Sequence, residues 1–403
     1  MSMEIVIPKN INSLNDLNID RKVLKPFSNI LVEFVNDVSK VILKDRLFKE
    51  YPELIALAFW MRKSHIKELH KYFLAQKNDK VLLGRGVVFH LAPSNVDTIF
   101  VYSWFISLLV GNSNILRISN KDNLQTNILI STINKVLDNE KYKDLNNKIA
   151  IIKYGHDDKI TAKLSQLADV RVIWGGDNTV TNIRKIPIKP TAVELTFADK
   201  FSFAVLKSKE LLNDKDIDKV IEKFYNDSFW FGQMACSSIR LVSWIGNEKE
   251  NERAKKLFWS KLNTYVLAKV PDDISPADIV NKLVAECSMA IESNIKINHI
   301  NNPYINKVSI HSIEEVIESL HCGTGLFYEM ETQNLRDLME FMTNKHQTIA
   351  YYGFDRDEIT SIIYDTLPSG IDRVVPLGKS LDFSNVWDGF DLFKSFSREI
   401  EIC

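Results

Sequence analysis

From Val81 onward, short apolar runs alternate with polar turns and helix-like stretches. The runs VVFHLA, NILRIS, IAIIKYG and VRVIWGG each lead into a turn and then a stretch with helical spacing of apolar residues. This alternation is typical of βαβ units around a parallel sheet. A second block begins with FSFAVL at Phe201, continues through a helix-like segment and returns to a strand at Ile239–Gly246. The sequence therefore predicts two α/β blocks.

The composition agrees with a two-domain globular protein. A chain of 403 residues is longer than most single domains. Its 45% hydrophobic and 10% aromatic content excludes a disordered or collagen-like chain. Because 51 Lys and Arg nearly balance 52 Asp and Glu, bulk charge gives no reason to expect nucleic acid or an anionic membrane as a partner. Ligands must therefore be bound by local sites.

The cysteines and the apolar segments predict a reduced, cytoplasmic protein. Cys236, Cys287, Cys322 and Cys403 form neither CxxC pairs nor Cys/His clusters of zinc spacing, so we expect no metal. The start, MSMEIVIPKN, shows no secretory signal. The most apolar stretch, Thr98–Val110, is shorter than the roughly 20 residues of a membrane span and predicts a buried helix.

Four regions are predicted along the chain. Residues 1–80 carry apolar positions at three- and four-residue intervals, which indicates helices packed on the first α/β block. Residues 81–195 form that first block, 196–368 form the second, and 369–403 form a C-terminal segment that ties the two together. The boundary is placed near Pro187–Lys200, where IPIKPTAVELTFADK carries two prolines.

Cys236, in FGQMACSSIR, is the candidate nucleophile. It lies between a helix-like run and a strand, and the small residues Ala235, Ser237 and Ser238 leave it room. If it opens a turn or a helix, backbone N–H groups would stabilise its thiolate and form an oxyanion site. The competing interpretation is a buried structural cysteine, which is the commoner fate of a free cysteine.

Turns at the strand ends of the first block carry groups suited to a bound cofactor. WGGDNTV at Trp174–Val180 precedes a helix and offers N–H groups to a phosphate. Asn95, in HLAPSNVD, has an amide that suits an oxyanion, and Arg117 and Ser119, in GNSNILRIS, suit a ribose or a phosphate. Tight turns and solvated strand ends explain the same residues equally well. The chain has no GxGxxG fingerprint.

Taken in order, these segments resemble the aldehyde dehydrogenase superfamily, and more closely its LuxC-type branch, the fatty acyl-CoA reductases of bacterial bioluminescence. HLAPSNVD is similar to the superfamily's Pro-Trp-Asn segment, GNSNILRIS to its Gly-Asn to Lys-Pro-Ser strand, WGG to its Gly-Ser turn and FGQMACSSIR to its Gly-Gln-x-Cys loop. The C-terminal Ser369–Phe393, with WDG at Trp387–Gly389, points to the LuxC branch.

The resemblance implies an aldehyde dehydrogenase-like α/β fold. It has a Rossmann-like cofactor domain without GxGxxG and an α/β catalytic domain that supplies the cysteine. It also implies a small oligomerisation element such as the terminal strand REIEI, and hence a homo-oligomer. Cys236 becomes the nucleophile and Asn95 the oxyanion donor.

The resemblance also favours NADPH as the cofactor. Arg117 replaces the usual lysine, and Asn120 stands where NAD-preferring relatives often carry a glutamate. Without that carboxylate, a 2′-phosphate is not repelled, and Arg117 adds positive charge. The predicted cofactor-binding residues are Ala92, Pro93, Ser94, Arg117, Ser119, Asn120, Gly155, Gly175, Gly176 and Thr179.

Glu194 departs from the superfamily pattern. In the Glu-Leu-Gly-Gly-Lys motif the glutamate is the base that hydrolyses the thioester, whereas ELTFADK places Glu194 two residues further from the matching Lys200. A reductase does not need that hydrolytic step. Glu194 therefore stays a candidate catalytic residue, as a proton source beside His156 or solvent. No counterpart of the second glutamate pair, which holds the nicotinamide ribose, is found.

The predicted reaction is NADPH-dependent reduction of an acyl thioester, in particular a fatty acyl-CoA, to an aldehyde through an acyl-enzyme on Cys236. The donor is acyl-CoA or an acyl group on a synthetase partner. Three alternatives remain open. In the first, the chain is an enzyme of the same superfamily that uses another activated donor, such as an acyl phosphate, or that oxidises aldehydes. In the second, it is a Cys acyltransferase or thioesterase without a nicotinamide. In the third, it is an inactive assembly subunit.

Overall fold

The structure, a computed structural model, describes residues 3–9, 11–76, 80–92, 99–120, 123–269, 276–292, 296–299 and 303–402. The chain divides into two compact units. The first consists of Met1–Asp199 with Phe383–Cys403, and the second of Lys200–Asp382. The first unit's N-terminal part ends at Asp199, and the segment predicted at 369–403 is divided between the two units. The predicted domain bounds stay a prediction.

The strands are β1 (Glu4–Ile7), β2 (Val81–Gly84), β3 (Val87–Leu91), β4 (Ser113–Ile118), β5 (Ile149–Lys153), β6 (Val170–Trp174), β7 (Val193–Phe197), β8 (Phe201–Lys207), β9 (Ile239–Ile245), β10 (Lys296–His299), β11 (Asn306–Ser309), β12 (Leu326–Thr332), β13 (His346–Tyr352), β14 (Arg373–Pro376), β15 (Val386–Trp387), β16 (Phe390–Asp391) and β17 (Ser397–Ile400). The helices are α1 (Asn29–Lys44), α2 (Pro52–Trp60), α3 (Lys63–Ala75), α4 (Ile99–Leu109), α5 (Leu124–Leu137), α6 (Asp158–Leu167), α7 (Asp177–Arg184), α8 (Ser208–Asn213), α9 (Ile217–Phe229), α10 (Glu248–Lys269), α11 (Pro276–Glu292), α12 (Leu335–Met339), α13 (Arg356–Thr366) and α14 (Leu392–Phe396).

The main sheet of the first unit has the strand order β1-β5-β4-β3-β6-β7. Its strands β3 to β7 are parallel, and β1 is added antiparallel at one edge. From β3, the chain adds β4 and then β5 on one side of the sheet, and afterwards adds β6 and β7 on the other side. The direction in which strands are added therefore reverses between β3 and β6. In open α/β sheets, ligands bind beyond the carboxyl ends of the strands at such a reversal.

Burial on both faces explains why this sheet forms. All the residues of β3 and β6 are buried, as expected for parallel strands covered by helices on both sides. The covering helix α4 buries Tyr102, Trp104 and Phe105 completely. The predicted helix at Thr98–Val110 is therefore confirmed as α4, which is buried over residues 101–109, while Thr98 lies outside the described residues. No helix among the described residues is long and apolar enough to cross a membrane.

The N-terminal region contains the predicted helices from Asn29 onward, but the prediction of a wholly helical region is wrong at Glu4–Ile7, where β1 forms because it pairs with β5. Helix α1 packs against α2, α3, α4 and α5, so it joins the first unit's core. Its buried side chains recur at three- and four-residue intervals and include Leu31, Phe34, Val38 and Ile42. The second predicted helical run, YPELIALAFWMRKSHIKELHKYFLA, is interrupted at residues 61–62, which divides it into α2 and α3.

The C-terminal residues return to the first unit. The WDG motif forms the hairpin β15–β16, in which Asp388 and Gly389 have φ angles of 47° and 75°, as a two-residue hairpin turn requires. Trp387 packs against Tyr102 and Trp174 at ring-centroid distances of 5.7 and 6.2 Å. Strand β17, from REIEI, pairs antiparallel with β2 of the same chain. Its predicted role in oligomerisation stays a prediction.

The second unit contains a sheet of order β10-β11-β12-β9-β8-β13-β14. The strands are parallel except β10, which pairs antiparallel with β11. One face carries an apolar cluster with Phe203 and Leu241, and the other face carries one with Trp244 and Phe258. This sheet confirms the second predicted α/β block and extends it to β14.

Candidate active site

Cys236 occupies a tight turn immediately before β9. The backbone N–H of Ser238 donates to the carbonyl of Ala235 at 3.0 Å, so Cys236 is the second residue of a four-residue turn. Its side chain is half-buried and forms no disulfide. A thiol in this position is neither fully exposed nor sealed in the core. The local geometry therefore agrees with the predicted turn, while the role of Cys236 as nucleophile stays a prediction.

The segment leading to this turn has an unusual backbone. Phe231, Gly232 and Gln233 are three successive left-handed residues, with φ angles of 56°, 59° and 64°. Each non-glycine residue in this region costs on the order of 1 kcal/mol. Such a run persists only when surrounding contacts stabilise it, and strained backbone of this kind is concentrated at functional sites.

The Gln233 side chain supplies those contacts. It is fully buried, and its Nε2 donates to the carbonyls of Ile239 and Leu326 at 2.8 and 3.0 Å. Its Oε1 accepts from the backbone N–H of Gly325 at 2.8 Å. Gln233 thus joins the start of β9 to the start of β12. The glutamine of the FGQMACSSIR loop therefore has a clear structural function here.

A second loop, residues 321–325, packs against the nucleophile segment. Thr324 N–H donates to the carbonyl of Gly232 at 3.0 Å, and a Cβ on Gly323 would lie 2.5 Å from that same oxygen. His321 is buried and neutral: its Nδ1 accepts from Gly323 N–H and its Nε2 donates to the carbonyl of Leu326. Burial lowers its pKa to about 3. This loop is a rigid support for the turn.

Two side chains hold Cys236 itself. Ser202 Oγ, from β8, donates to the Cys236 carbonyl oxygen at 2.7 Å and accepts from Thr348 N–H at 3.2 Å. Gln347, from β13, donates from Nε2 to the Cys236 sulfur at 3.4 Å. Sequence reasoning missed Ser202, Gln347 and Thr348, because they lie far from the motif in the chain and belong to no recognisable pattern.

In the first unit, the structure brings most of the predicted cofactor residues to one edge of the sheet. Ala92 follows β3, Ser119 and Asn120 follow β4, Gly155 follows β5, and the Gly175–Gly176 pair follows β6. Ala92 and Gly175 thus flank the reversal between β3 and β6. Thr179 lies in the first turn of α7 and is exposed. Pro93, Ser94 and Asn95 lie outside the described residues, so the predicted oxyanion donor stays a prediction.

Arg117 provides a fixed positive charge at this edge. Its Nε donates to the carbonyl of Tyr154 at 3.2 Å and its Nη2 to that of Gly155 at 3.3 Å, while the guanidinium lies 5.4 Å from the centroid of the Tyr154 ring. Burial lowers the pKa of Arg117, but a guanidinium stays charged in proteins. The cation is therefore oriented before any ligand binds.

The WGG turn differs from the simple phosphate site that the sequence predicts. Gly176 caps the N-terminus of α7, and Asp199 Oδ2 accepts from Asp177 N–H at 3.3 Å. A Cβ on Gly176 would lie 2.7 Å from that same oxygen. A carboxylate thus already occupies one N–H at the start of the helix. An incoming phosphate would be repelled by Asp177 and Asp199 unless their side chains move.

These residues nevertheless fit a dinucleotide. The reversal of strand order, the accessible glycine turn and the oriented Arg117 lie at one sheet edge, where open α/β sheets bind such cofactors. No group of three or more metal-ligating side chains occurs among the residues that the structure describes.

Glu194 is held by two arginines. It lies in β7, with Oε2 against Arg171 Nε at 2.7 Å and Oε1 against Arg184 Nε at 3.1 Å. Arg171 is only 2% exposed, so its charge requires a partner. Both oxygens of Glu194 are therefore committed to ion pairs, which favours a structural role. Its predicted catalytic role is not tested by this geometry and stays a prediction. His156, the other candidate proton source, is exposed after β5.

Comparison with solved structures shows which fold this is. The chain is similar to an NAD-dependent benzaldehyde dehydrogenase from Corynebacterium glutamicum, with TM-score 0.64 and 12% identity over 93% of this chain and 85% of that one. It is also similar to a succinic semialdehyde dehydrogenase from Streptococcus pyogenes in complex with NADP+, with TM-score 0.64 and 11% identity over 93% of this chain and 91% of that one. Proline utilization A from Bradyrhizobium japonicum matches with TM-score 0.62 and 13% identity over 92% of this chain, which spans only 42% of that protein's length.

The fold is therefore that of the aldehyde dehydrogenase superfamily, as the sequence motifs predict. The family model for acyl-CoA reductase (LuxC) matches residues 64–399. The chain belongs to the LuxC acyl-CoA reductase family. No curated protein matches the chain in sequence.

Proposed function

We propose that the chain reduces an acyl thioester, in particular a fatty acyl-CoA, to an aldehyde with NADPH, through an acyl-enzyme on Cys236. The observation that carries the proposal is the half-buried Cys236 thiol, which is held in its turn by Ser202 and Gln347. This thiol stands in a chain of the LuxC family. A thiol that is positioned and hydrogen-bonded suits a nucleophile better than a packing residue.

The first half-reaction is thioester exchange. The Cys236 sulfur forms a bond to the acyl carbon, the bond from that carbon to the CoA sulfur breaks, and CoA leaves as a thiol after taking up a proton. The negative oxygen that forms in between requires hydrogen-bond donors. We assign these to the Cys236 backbone N–H and, from the resemblance, to Asn95.

The second half-reaction is reduction of the acyl-enzyme. When bound, NADPH supplies the hydride. Addition of the hydride to the acyl carbon leaves a thiohemiacetal oxyanion on Cys236. As its carbon–oxygen double bond re-forms, the carbon–sulfur bond breaks, the aldehyde leaves, and the Cys236 sulfur takes up a proton. Glu194, His156 and solvent are the proposed proton sources. Because both oxygens of Glu194 accept from arginines, exposed His156 or solvent is favoured.

The preference for NADPH is proposed on the residues at the end of β4. Arg117 provides a fixed cation, and exposed Asn120 stands where a carboxylate would repel a 2′-phosphate. We further propose that the acyl group arrives as acyl-CoA or from a synthetase partner, and that the chain acts as a cytoplasmic homo-oligomer.

The proposal is tested by incubating the protein with NADPH and acyl-CoAs of increasing chain length, beside a Cys236→Ala control. We expect loss of nicotinamide absorbance and appearance of aldehyde with the wild type only. Absence of oxidation with every thioester would refute the reductase function. Acylation of Cys236 without NADPH oxidation would instead assign the chain to acyl transfer.

A further inference from the structure

We infer that Gln347 is a catalytic residue that stabilises the Cys236 thiolate through its side-chain amide. The inference rests on the proposed role of Cys236 as nucleophile. It assigns a function to a residue on β13 that lies more than a hundred positions after Cys236 in the chain. Three features of the structure support this role: a contact to sulfur, a fixed amide orientation and a local irregularity of the sheet.

The contact joins an amide donor to the sulfur atom. Gln347 Nε2 lies 3.4 Å from Cys236 Sγ, within hydrogen-bonding range for sulfur. The side chain of Gln347 is only 1% exposed, so water competes little for this donor. A hydrogen bond to the charged form of a group favours that form. The amide therefore favours the thiolate over the thiol.

The orientation of the amide is fixed by its other end. Thr348 Oγ1 donates to Gln347 Oε1 at 3.4 Å, which directs the amide nitrogen toward the sulfur. The backbone of Gln347 is also held, since its carbonyl accepts from Asp372 N–H at 2.8 Å. With both the main chain and the amide oxygen held, the donor is oriented before the substrate arrives, which is the arrangement that electrostatic catalysis requires.

An irregularity of the sheet places Gln347 at the nucleophile. In the pairing of β13 with β8, His346 is opposite Phe201 and Ile349 is opposite Phe203. One extra residue is thus inserted in β13, and Gln347 and Thr348 lie within this bulge. Such bulges re-aim side chains and recur next to active sites. Ser202, which binds the Cys236 carbonyl, lies opposite the same bulge.

The test measures the reactivity of the Cys236 thiol without substrate or cofactor. The rate of alkylation by iodoacetamide is followed against pH, and Cys236 is read from the tryptic peptide 224–240, whose single cysteine it is. We compare the wild type with Gln347→Met, which keeps the volume and removes the donor, and with Gln347→Glu, which places a carboxylate at the sulfur.

We expect the pH midpoint of alkylation to rise by about one to two units in Gln347→Met. Gln347→Glu should shift it further, because a like charge disfavours the thiolate. The matched control is Thr348→Ser, a buried neighbour that keeps the hydroxyl bonded to Gln347 Oε1, and it should shift the midpoint by less than about half a unit. If Gln347→Met does not fold, Gln347→Asn replaces it, since its shorter side chain withdraws the amide from the sulfur.

Unshifted midpoints in both folded variants would overturn the inference, and so would an equal shift in Thr348→Ser. The assay contains neither acyl-CoA nor NADPH, so its outcome is separate from that of the reductase test. If the Gln347 variants show the shift but the wild type reduces no thioester, only the proposed function is contradicted. An active reductase with unshifted Gln347 variants contradicts only the role of Gln347.

Discussion

The hydroxyl of Ser202 donates a 2.7 Å hydrogen bond to the carbonyl oxygen of Cys236. The same hydroxyl oxygen accepts from Thr348 N–H at 3.2 Å. Ser202 is only 1% exposed, so this pair of hydrogen bonds forms away from bulk water. One side chain of β8 thus connects the nucleophile turn to β13.

Replacing Ser202 by Ala should impair both the fold and the chemistry. The Cys236 carbonyl loses its donor and Thr348 N–H loses its acceptor, which costs on the order of 1–3 kcal/mol. Because the turn is then less well held, we expect kcat for acyl-CoA reduction to fall roughly tenfold or more, with KM for NADPH unchanged. Steady-state kinetics check this. An equal loss of kcat in Ser238→Ala, beside the same turn, would show that Ser202 has no particular role.

A carboxylate at position 120 should change the cofactor preference. In Asn120→Glu, we expect KM for NADPH to rise about tenfold or more through repulsion of the 2′-phosphate, with KM for NADH little changed. The control is Asn146→Glu. Asn146 is also exposed but lies before the amino end of β5, at the opposite edge of the sheet. The NADPH assignment is contradicted if the two variants behave alike.

Glu194→Gln should weaken the first unit. The substitution removes the negative charge that pairs with the guanidinium of Arg171, a side chain that is 2% exposed. Breaking a buried ion pair costs about 3–5 kcal/mol of stability. We expect a lower Tm and an unchanged pH dependence of kcat. In the control Glu140→Gln, the ion-pair partner Lys143 is exposed, so the free energy of unfolding should change by no more than about 1 kcal/mol. Loss of one limb of the pH–rate profile at unchanged Tm would instead assign proton transfer to Glu194.

Acid should destabilise the first unit through His90. This residue is fully buried, its Nε2 faces Asn114 Oδ1 at 3.0 Å and its Nδ1 faces Ser103 Oγ at 3.2 Å. Since Asn114 Oδ1 can only accept, His90 Nε2 donates to it, and in the neutral ring that burial favours, Nδ1 accepts from Ser103 Oγ. Burial lowers the pKa of His90 from 6.5 to about 4.

Between these two pKa values, the unfolded chain binds a proton that the folded chain does not. The stability is therefore fully present above pH 6.5 and is lost as the pH falls toward 4, by about 2 kcal/mol at pH 5. In His90→Gln, Tm between about pH 7 and 5 should fall less steeply than in the wild type. Replacement of exposed His156 by Gln should leave the slope unchanged. Identical slopes in the wild type and His90→Gln would show that His90 is not the acid-sensitive group.

The elements that can be predicted from the sequence are those with a local pattern of apolar and polar residues. Alternating strand and helix signals place β3, β4, β5, β6, β8 and β9 correctly, because each is a short apolar run bounded by turn residues. Strand β7 is missed: VELTF follows two prolines and reads as a linker, yet it pairs in register with β6. Its strand identity comes from this tertiary pairing, which overrides the local signal.

The site residues likewise fall into two groups: those that a local motif identifies and those that only the fold brings to Cys236. The FGQMACSSIR motif identifies Cys236 and the turn around it from adjacent residues alone. Gln347 and Ser202 reach Cys236 only because β13, β8 and β9 are neighbours in the sheet, and a bulge without a sequence signal aims Gln347. The ion pairs of Glu194 and the Asp199 carboxylate at the WGG turn likewise depend on pairings between distant segments.

The proposed function requires that an acyl group pass through Cys236 on its way to an aldehyde. Its most direct test is a single-turnover experiment in which the protein receives acyl-CoA, then NADPH, and the tryptic peptide 224–240 is analysed by mass at each stage beside aldehyde formation. We predict that the peptide gains the acyl mass on Cys236 before NADPH is added and loses it afterwards, with one aldehyde formed for each acyl group lost. Aldehyde formation without an acylated Cys236, or an acylated Cys236 that NADPH does not discharge, would contradict it.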